Sequence, residues 1–305
     1  MSYIIGIDHG NKAIKSIVNQ YNSGFTVSST MPITKERLLV FEGKYYSISG
    51  ERFPVMLDKT VNDNFFILTL PAIAEVLEKK YQGVKKGEII LACGLPIMYY
   101  GKQKDEFREY FIRDDVSFTF GGKQYEVSIK DAYVYPQGYA AIMPHFTHYK
   151  DVSRLNVVDI GGYTVYVFTV EKGLLNIKSC ISLTTGIVTL LNSIKQDILS
   201  LGIEIHEEQI EDTILGENIS FFQNENIKSL IEDKTQIYVE ELLDKLKEYG
   251  FEMKINPTIF VGGGSMLLQK YIENSPKIGY MEVLDSFANV KGFELLAKQA
   301  VSRDR

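Results

Sequence analysis

The chain carries one short pattern twice, and this repeat limits the folds that it can adopt. An apolar strand runs into an acidic residue and a glycine and then returns at once as another strand. This happens first in GIDHGNKAIK (residues 6–15) and again in VVDIGGYTVYVFTV (residues 157–170). The two acids, Asp8 and Asp159, are separated by roughly the length of one domain. The repeat therefore predicts two domains of one topology, each built on a strand that ends in an acidic turn.

The rest of the chain supports an α/β class with two domains. Its 305 residues are 45% hydrophobic and 24% charged, which is ordinary for a globular protein with a sizeable core. Strand-like and helix-like segments alternate through both halves. We predict that residues 1–150 and a returning C-terminal helix at 289–303 form the first domain. Residues 151–288 form the second.

Several local features give sharper predictions. Pro71 is expected at the start of a helix over residues 70–81, because helix entry tolerates proline. Residues 12–21 are expected to form one strand that ends at the NSG turn (22–24). The Gly121–Gly122 pair predicts a tight hairpin, as does Lys172–Gly173 in the second half.

Composition also argues against several kinds of function. The net charge of −6 disfavours direct binding to nucleic acid, and the lysine cluster at 79–86 fits a solvated helix end. No apolar stretch is long enough to span a bilayer and no signal-peptide pattern is visible, so we expect a cytoplasmic protein without membrane partners. Cys93 and Cys180 have no metal or redox spacing, and we expect reduced thiols. His145 and His148 have no third ligand nearby.

Three glycine-rich turns together suit a nucleoside triphosphate. The third is the strand-to-helix turn IFVGGGS, residues 259–265. Glycine backbone N–H groups approach phosphate oxygens closely, and Mg²⁺ keeps much of its water, so Asp8 and Asp159 are expected to hold Mg²⁺ through water. Each turn alone is more often a plain structural turn. The order and spacing of all three along the chain are what indicate a phosphate-binding site. The predicted phosphate-binding residues are His9, Gly10, Asn11, Lys15, Gly161, Gly162, Tyr163 and Thr164.

These motifs resemble those of the actin, sugar-kinase and heat-shock-chaperone ATPase superfamily. The three turns are similar to its two phosphate motifs and its adenosine motif, and DAYVYPQGYAA (131–141) and NVKGFELLAKQA (289–300) are similar to its two connecting segments. Within the superfamily, the closest resemblance is to bacterial actin-like proteins of plasmid segregation, the ParM type. The resemblance implies an actin-like α/β fold, with two ribonuclease-H-like domains facing each other around a nucleotide cleft.

The resemblance also implies roles for further residues. Gln137, in YPQG, lies where actin-like ATPases keep the residue that orients the attacking water. The alternative is that it only caps its helix. Gly186 and Glu208 are candidates for the adenosine pocket, although a solvated helix position is the simpler interpretation of Glu208. The expected catalytic set is Asp8, Gln137 and Asp159. The expected adenosine-binding set is Gly186, Glu208, Gly262, Gly263 and Gly264.

For function, the resemblance implies a Mg-dependent ATPase that assembles into filaments with ATP and disassembles after hydrolysis. Its expected partners are further copies of itself and a separate DNA-binding adaptor for plasmid segregation. Two alternatives on the same fold stay open. One is a small-molecule kinase, for which Asp131 is the only candidate base that we note; the other is a scaffold that binds ATP and hydrolyses almost none.

Overall fold

The computed structural model describes residues 2–48, 51–217 and 224–303. The chain contacts divide it into two compact units. The first unit contains the residues up to Pro144 together with those from Phe287 onward. The second unit is continuous, from His145 to Ser286.

The first unit is built on a mixed sheet. Among the described residues its strand order is β3-β2-β1-β7-β9-β8-β5-β6-β4. The first strand, which ends in the acidic turn, pairs antiparallel with the second and parallel with the seventh. The strands are β1 (Ser2–His9), β2 (Ala13–Ser16), β3 (Asn19–Asn22), β4 (Thr26–Ser28), β5 (Leu38–Phe41), β6 (Lys44–Ser47), β7 (Lys86–Leu95), β8 (Arg113–Phe120) and β9 (Lys123–Pro136).

The start of this sheet differs from the prediction. Residues 12–21 do not form one strand; the chain turns between β2 and β3, and Lys15 pairs with Gln20 across that turn. The following segment does not continue the meander, because β4 pairs with β6 at the far edge of the sheet. The prediction failed since the turn contains Ile17 and Val18, two apolar residues that are typical of a strand. The Gly121–Gly122 hairpin is confirmed, and both glycines have positive φ angles, 56° and 77°.

The first long helix also begins earlier than predicted. Helix α1 (Asn64–Lys79) starts at Asn64, so Pro71 lies inside it and the predicted start is wrong. Proline removes one helical N–H donor and disturbs the ladder. Near this point the Tyr21 hydroxyl donates to the Leu68 carbonyl and accepts from the Ala72 N–H. A buried tyrosine thus bridges backbone groups that a regular helix would join directly.

The second unit repeats the central topology of the first. Its described sheet has the order β12-β11-β10-β13-β14, in which β10 pairs antiparallel with β11 and parallel with β13. The predicted repeat of topology is therefore confirmed. The Lys172–Gly173 turn is also confirmed, with φ angles of 50° and 78°. The strands are β10 (Leu155–Ile160), β11 (Val165–Glu171), β12 (Leu174–Leu183), β13 (Thr258–Val261) and β14 (Met281–Val283).

Helices cover the sheets within each unit. Apolar side chains of α1 face the first sheet, and most of the helices of the second unit contribute to its core. No helix in the described ranges combines the length and the apolar character needed to cross a bilayer. The remaining helices are α2 (Ile97–Phe111), α3 (Tyr139–Ile142), α4 (Phe146–Tyr149), α5 (Ile187–Ser200), α6 (Glu207–Leu215), α7 (Glu225–Glu248), α8 (Gly263–Glu273) and α9 (Ala288–Arg303), with a 3₁₀ turn at Met143–His145.

Helix α9 returns to the first unit and packs very closely against it. A Cβ atom on Gly292 would lie 1.9 Å from the Ala140 carbonyl oxygen, so only glycine permits the observed approach of α9 to α3. The buried Glu294 carboxylate accepts a hydrogen bond from the Gly6 N–H of β1 at 3.2 Å and pairs with Lys80 at 2.6 Å. The helix is therefore fastened to the strand that carries Asp8.

We expect Gly292→Ala to lower the free energy of unfolding by about 1–3 kcal/mol, because the added methyl group forces α9 away from α3. Gly101→Ala is the matched control, since Gly101 also lies inside a helix and a Cβ atom added there would meet nothing within 4 Å. That change should raise stability by about 0.5–1 kcal/mol through helix propensity alone. Urea unfolding measures both. Equal effects of the two substitutions would contradict the close packing of α9.

Candidate functional site

The first acidic turn places its carboxylate and its lysine on one face of the hairpin. Asp8 on β1 lies directly opposite Lys15 on β2, so both side chains point to the same side of the sheet. Asp8 is 7% exposed, and the turn behind it is tight: a Cβ on Gly10 would meet the Ala13 carbonyl oxygen at 2.8 Å. The Ser23 hydroxyl donates to the Gly10 carbonyl and closes the turn from the end of β3.

Gln137 lies directly against Asp8. Its Nε2 donates to Asp8 Oδ1 at 2.6 Å. The contact orients the amide, because a carboxylate only accepts hydrogen bonds and only Nε2 of the amide can donate. The backbone around Gln137 is also fixed: its N–H donates to the Leu95 carbonyl at 2.8 Å, and the Gly138 N–H donates to Asn289 Oδ1 of α9 at 2.8 Å.

The His9 side chain is not available to a phosphate. Successive residues of a strand face opposite sides, so His9 points into the core while Asp8 points out of it. Its ring is fully buried, stacks on Phe111 and hydrogen-bonds Thr69 Oγ1 at 2.8 Å. Burial, with Lys59 nearby, holds the pKa of His9 well below its usual value. The prediction for His9 is therefore corrected: its side chain cannot contact a phosphate, and only its backbone N–H is left for that role.

A segment before α1 braces the first turn. The Asn11 side chain exchanges two hydrogen bonds with the Met56 backbone, at 3.1 and 3.2 Å, so it holds the turn instead of pointing away from it. Lys59, 7% exposed, donates from Nζ to the His9 carbonyl. Burial lowers the pKa of Lys59 to about 8, and the Asp8 carboxylate acts in the opposite direction.

The second turn is braced by backbone. The Gly161 N–H donates to the Thr164 carbonyl at 2.9 Å. The first N–H groups of α5, those of Ile187 and Val188, donate to the carbonyls of Gly161 and Gly162 at 3.1 and 2.8 Å. The N-terminus of α5 therefore sits against the turn. A Cβ on Gly186 would lie 2.4–2.6 Å from the backbone of residues 162–164, so this approach requires glycine.

The third glycine turn lies beside Asp159. Gly262 has φ +93°, and a Cβ there would meet Asp159 Oδ1 and the Ile160 carbonyl oxygen, both at 2.6 Å. Gly264 similarly lets the first turn of α8 approach Ile160. Two helix N-termini thus converge on the end of β10. The first N–H groups of α5 are already used by the turn, so it is the α8 N-terminus, with its partial positive charge, that suits a negatively charged ligand.

Two residues of the second unit that were predicted to bind the nucleotide lie in surroundings that serve other purposes. The Tyr163 ring packs against the core of the unit, so its side chain serves the core. Glu208 is exposed in the first turn of α6, where a negative charge favours the helix dipole. The contacts that gather the glycine turns in the described part of this unit do not include Glu208, and its adenosine role stays a prediction.

Two residues that contact the first turn or the segment around Gln137 were not identified from the sequence. Lys59 lies in the polar stretch LDKTVND, which is typical only of a loop, and Asn289 lies in the connecting segment without a recognisable signal of its own. Both act through contacts with residues far away in the chain. Within the described residues no group of three or more His, Cys, Asp or Glu side chains could hold a metal ion. A cation at Asp8 would therefore take most of its ligands from elsewhere.

Comparison with known proteins gives two family matches that follow the two units. Residues 6–139 match the family model of the N-terminal domain of actin-like proteins. Residues 157–274 match the model of the C-terminal domain of archaeal MreB-like actin homologues. The chain belongs to the actin-like proteins. A search of curated proteins returned no match to this actin-like chain.

Solved structures confirm the actin-like fold. Ta0583, an archaeal actin homolog in complex with ADP, superposes with a TM-score of 0.75 at 16% identity, covering 97% of this chain and 99% of that one. The apo psk41 ParM protein gives 0.71 at 15% identity, covering 99% and 98%. A 15-stranded ParM filament from Clostridium botulinum gives 0.73 at 16%, covering 98% and 99%. At such identities the likeness concerns the fold.

We expect Gly262→Ala to destabilise the actin-like chain more than Gly250→Ala does. Both glycines lie in the second unit with φ near +90°, but a Cβ atom added at Gly250 would meet nothing within 4 Å. Gly250→Ala should cost the backbone strain alone, about 1–2 kcal/mol. Gly262→Ala adds collisions with Asp159 Oδ1 and the Ile160 carbonyl oxygen and should cost about 1–3 kcal/mol more in urea unfolding. Equal costs would show that the end of β10 is not held against Gly262.

Proposed function

We propose that this actin-like protein binds ATP with Mg²⁺, assembles into filaments with ATP bound and disassembles after hydrolysis. We further propose that it works in the cytoplasm and segregates plasmid DNA through a separate DNA-binding adaptor. The observation that carries the proposal is the Asp8–Gln137 contact, because it brings the predicted metal-binding carboxylate and the predicted water-orienting amide together.

The residues present fit a nucleotide on structural grounds. Gly186 and Gly262 stand where any side chain would collide with a turn, so backbone and the N-terminus of α8 are kept close to the end of β10. The Thr185 hydroxyl beside α5 is buried and has no hydrogen-bond partner in the described structure, which is consistent with a polar ligand there. We propose that Gly10, Gly161, Gly162 and Thr164 contact phosphates and that Gly262–Gly264 lie against the adenosine.

Asp8 and Asp159 would hold Mg²⁺, which when bound neutralises charge on the phosphate oxygens. Two carboxylates suffice for this ion, since it usually retains several waters. Lys15, directly opposite Asp8, would add a positive charge on the same face of the hairpin. Binding of Mg²⁺ in this way requires no further protein ligands beyond the two carboxylates.

Gln137 would act by position. An amide cannot remove a proton near neutral pH, but its carbonyl oxygen accepts a hydrogen bond from water. Nε2 donates one of its two N–H groups to Asp8, which fixes the amide, and Oε1 would accept a hydrogen bond from the attacking water. The hydrogen bonds of the backbone to Leu95 and Asn289 limit how far this amide can move.

The small-molecule kinase is the less favoured alternative. Its candidate base, Asp131, forms an ion pair with Arg108 of α2 at 2.8 Å. It also lies on β9, six residues before Gln137, which follows directly after the end of that strand; at ~3.3 Å per residue the two are about 20 Å apart. Asp131 is therefore poorly placed to deprotonate an acceptor beside Gln137.

We expect Gln137→Ala to lower kcat for ATP hydrolysis about 100-fold, while the Kd for ATP changes less than about 3-fold. The reason is that a water-orienting group matters mainly in the transition state. Phosphate release and fluorescent-nucleotide titration measure the two quantities. The control is Asp8→Ala, which should weaken Mg-ATP binding as well. If Gln137→Ala hydrolyses ATP at the parent rate, the water-orienting role is wrong and Gln137 only occupies the start of its helix.

Assembly is tested by pelleting at micromolar protein with Mg-ATP, Mg-ADP or a non-hydrolysable ATP analogue. A nucleotide that favours one conformation of the subunit shifts the assembly equilibrium by its differential affinity for that conformation. We expect a lower critical concentration with ATP and the analogue than with ADP, and polymer that is transient only with ATP.

Three outcomes separate the alternatives. Polymer that forms with ATP as it does with the analogue, and then stays stable, would argue for the scaffold that binds ATP and hydrolyses almost none. Protein that stays in the supernatant throughout, yet phosphorylates a small alcohol, would identify a kinase. Filaments that recruit plasmid DNA only after a basic adaptor is added would support the proposed partner, in keeping with the net charge of −6.

A further inference from the structure

Lys59 is a buried cation to which neither the repeat nor the family resemblance gives a role. Its Nζ donates to the His9 carbonyl and lies 5.4 Å from the centre of the Phe65 ring. No ion pair joins Lys59 to a carboxylate within residues 2–48, 51–217 and 224–303. Burying an ammonium group without a direct counter-charge is costly, so such a residue needs a compensating reason.

The backbone that carries Lys59 is fixed on both sides. The Asn11 side chain holds Met56 on one side. On the other, Asp58 accepts from the Thr60 N–H and hydroxyl at 2.9 and 2.6 Å. The same hydroxyl oxygen lies 3.1 Å from Glu106 of α2, and its single proton can be donated to only one of the two carboxylates at a time. The segment is therefore a rigid brace, and Lys59 is the side chain by which it holds the strand next to Asp8.

We infer that Lys59 is a positioning residue of the first turn: by holding the His9 carbonyl, it sets the direction in which Asp8 presents its carboxylate to Gln137. The inference rests on the proposed ATPase function for its consequence in hydrolysis, but the positioning itself concerns the free protein. Asp8 precedes the held carbonyl by one residue, so a rotation of the His9 peptide would change the end of β1.

The test compares Lys59→Met with Lys80→Met. Methionine keeps the length of lysine and removes its charge and donors. Lys80 is a matched control because it also fastens β1, through Glu294 and the Gly6 N–H, but at a distance from the turn. Hydrogen exchange of the free protein should show the amides of residues 9–13 exchanging about 10-fold faster in Lys59→Met and unchanged in Lys80→Met.

Steady-state kinetics provide the second measurement. Lys59→Met should lower kcat for ATP about 10-fold to 100-fold, as expected for a displaced reacting group, with the Kd for ADP within about 3-fold of the parent. Thermal unfolding should show no loss of stability in Lys59→Met, because an unpaired buried charge has been removed. Lys80→Met should instead lose stability and keep the parent kcat.

The outcomes are distinct. Faster exchange in the turn together with a selective loss of kcat supports the inference. Unchanged exchange in the turn, or equal loss of kcat in both variants, overturns it. If the parent protein hydrolyses no ATP, the proposed function fails, and the exchange measurement alone decides whether Lys59 positions the turn.

Discussion

A carboxylate cannot remain charged in the middle of a strand that is buried on both faces, because no water reaches it there. Strands β1 and β10 each have a neighbouring strand on both sides, and the residues directly before their acids are buried. Asp8 and Asp159 each occupy the next-to-last position of their strand, 7% exposed. The short return to the neighbouring strand follows from this placement, and so do the glycines that let other backbone come close to each acid.

The two turns share this constraint but are held in different ways. The first is braced by side chains, with Asn11 and Lys59 tying it to the segment before α1. The second is braced by the backbone of α5 and by the close approach of Gly262. Side-chain bracing depends on the identity of a few polar residues, whereas backbone bracing depends on the absence of side chains at glycines. Substitution to alanine therefore disturbs the two turns through different physical effects.

Local spacing explains what could be predicted from the sequence. The acids, their glycine turns and the position of Lys15 were predictable since they repeat at short range and follow strand alternation. The same alternation places His9 inward, but the turn directly after it hid where the strand ends. The helix start predicted at Pro71 was wrong because the apolar run of α1 begins before this residue and gives no clear signal for the helix start. Lys59 and Asn289 could not be found at all, because each meets its partner through tertiary contacts with residues about 50 or more positions away.

Helix α9 has a consequence for the order in which the chain folds during synthesis. Residues His145–Ser286 form a continuous unit and can complete their contacts while later residues are still being added. The other unit lacks Asn289, Glu294 and the Gly292 packing surface until α9 has left the ribosome. Strand β1 is made before the second unit and yet receives the Gly6–Glu294 hydrogen bond only after that unit has been made. A nascent chain thus carries an incomplete first unit while the whole of the second unit is being made.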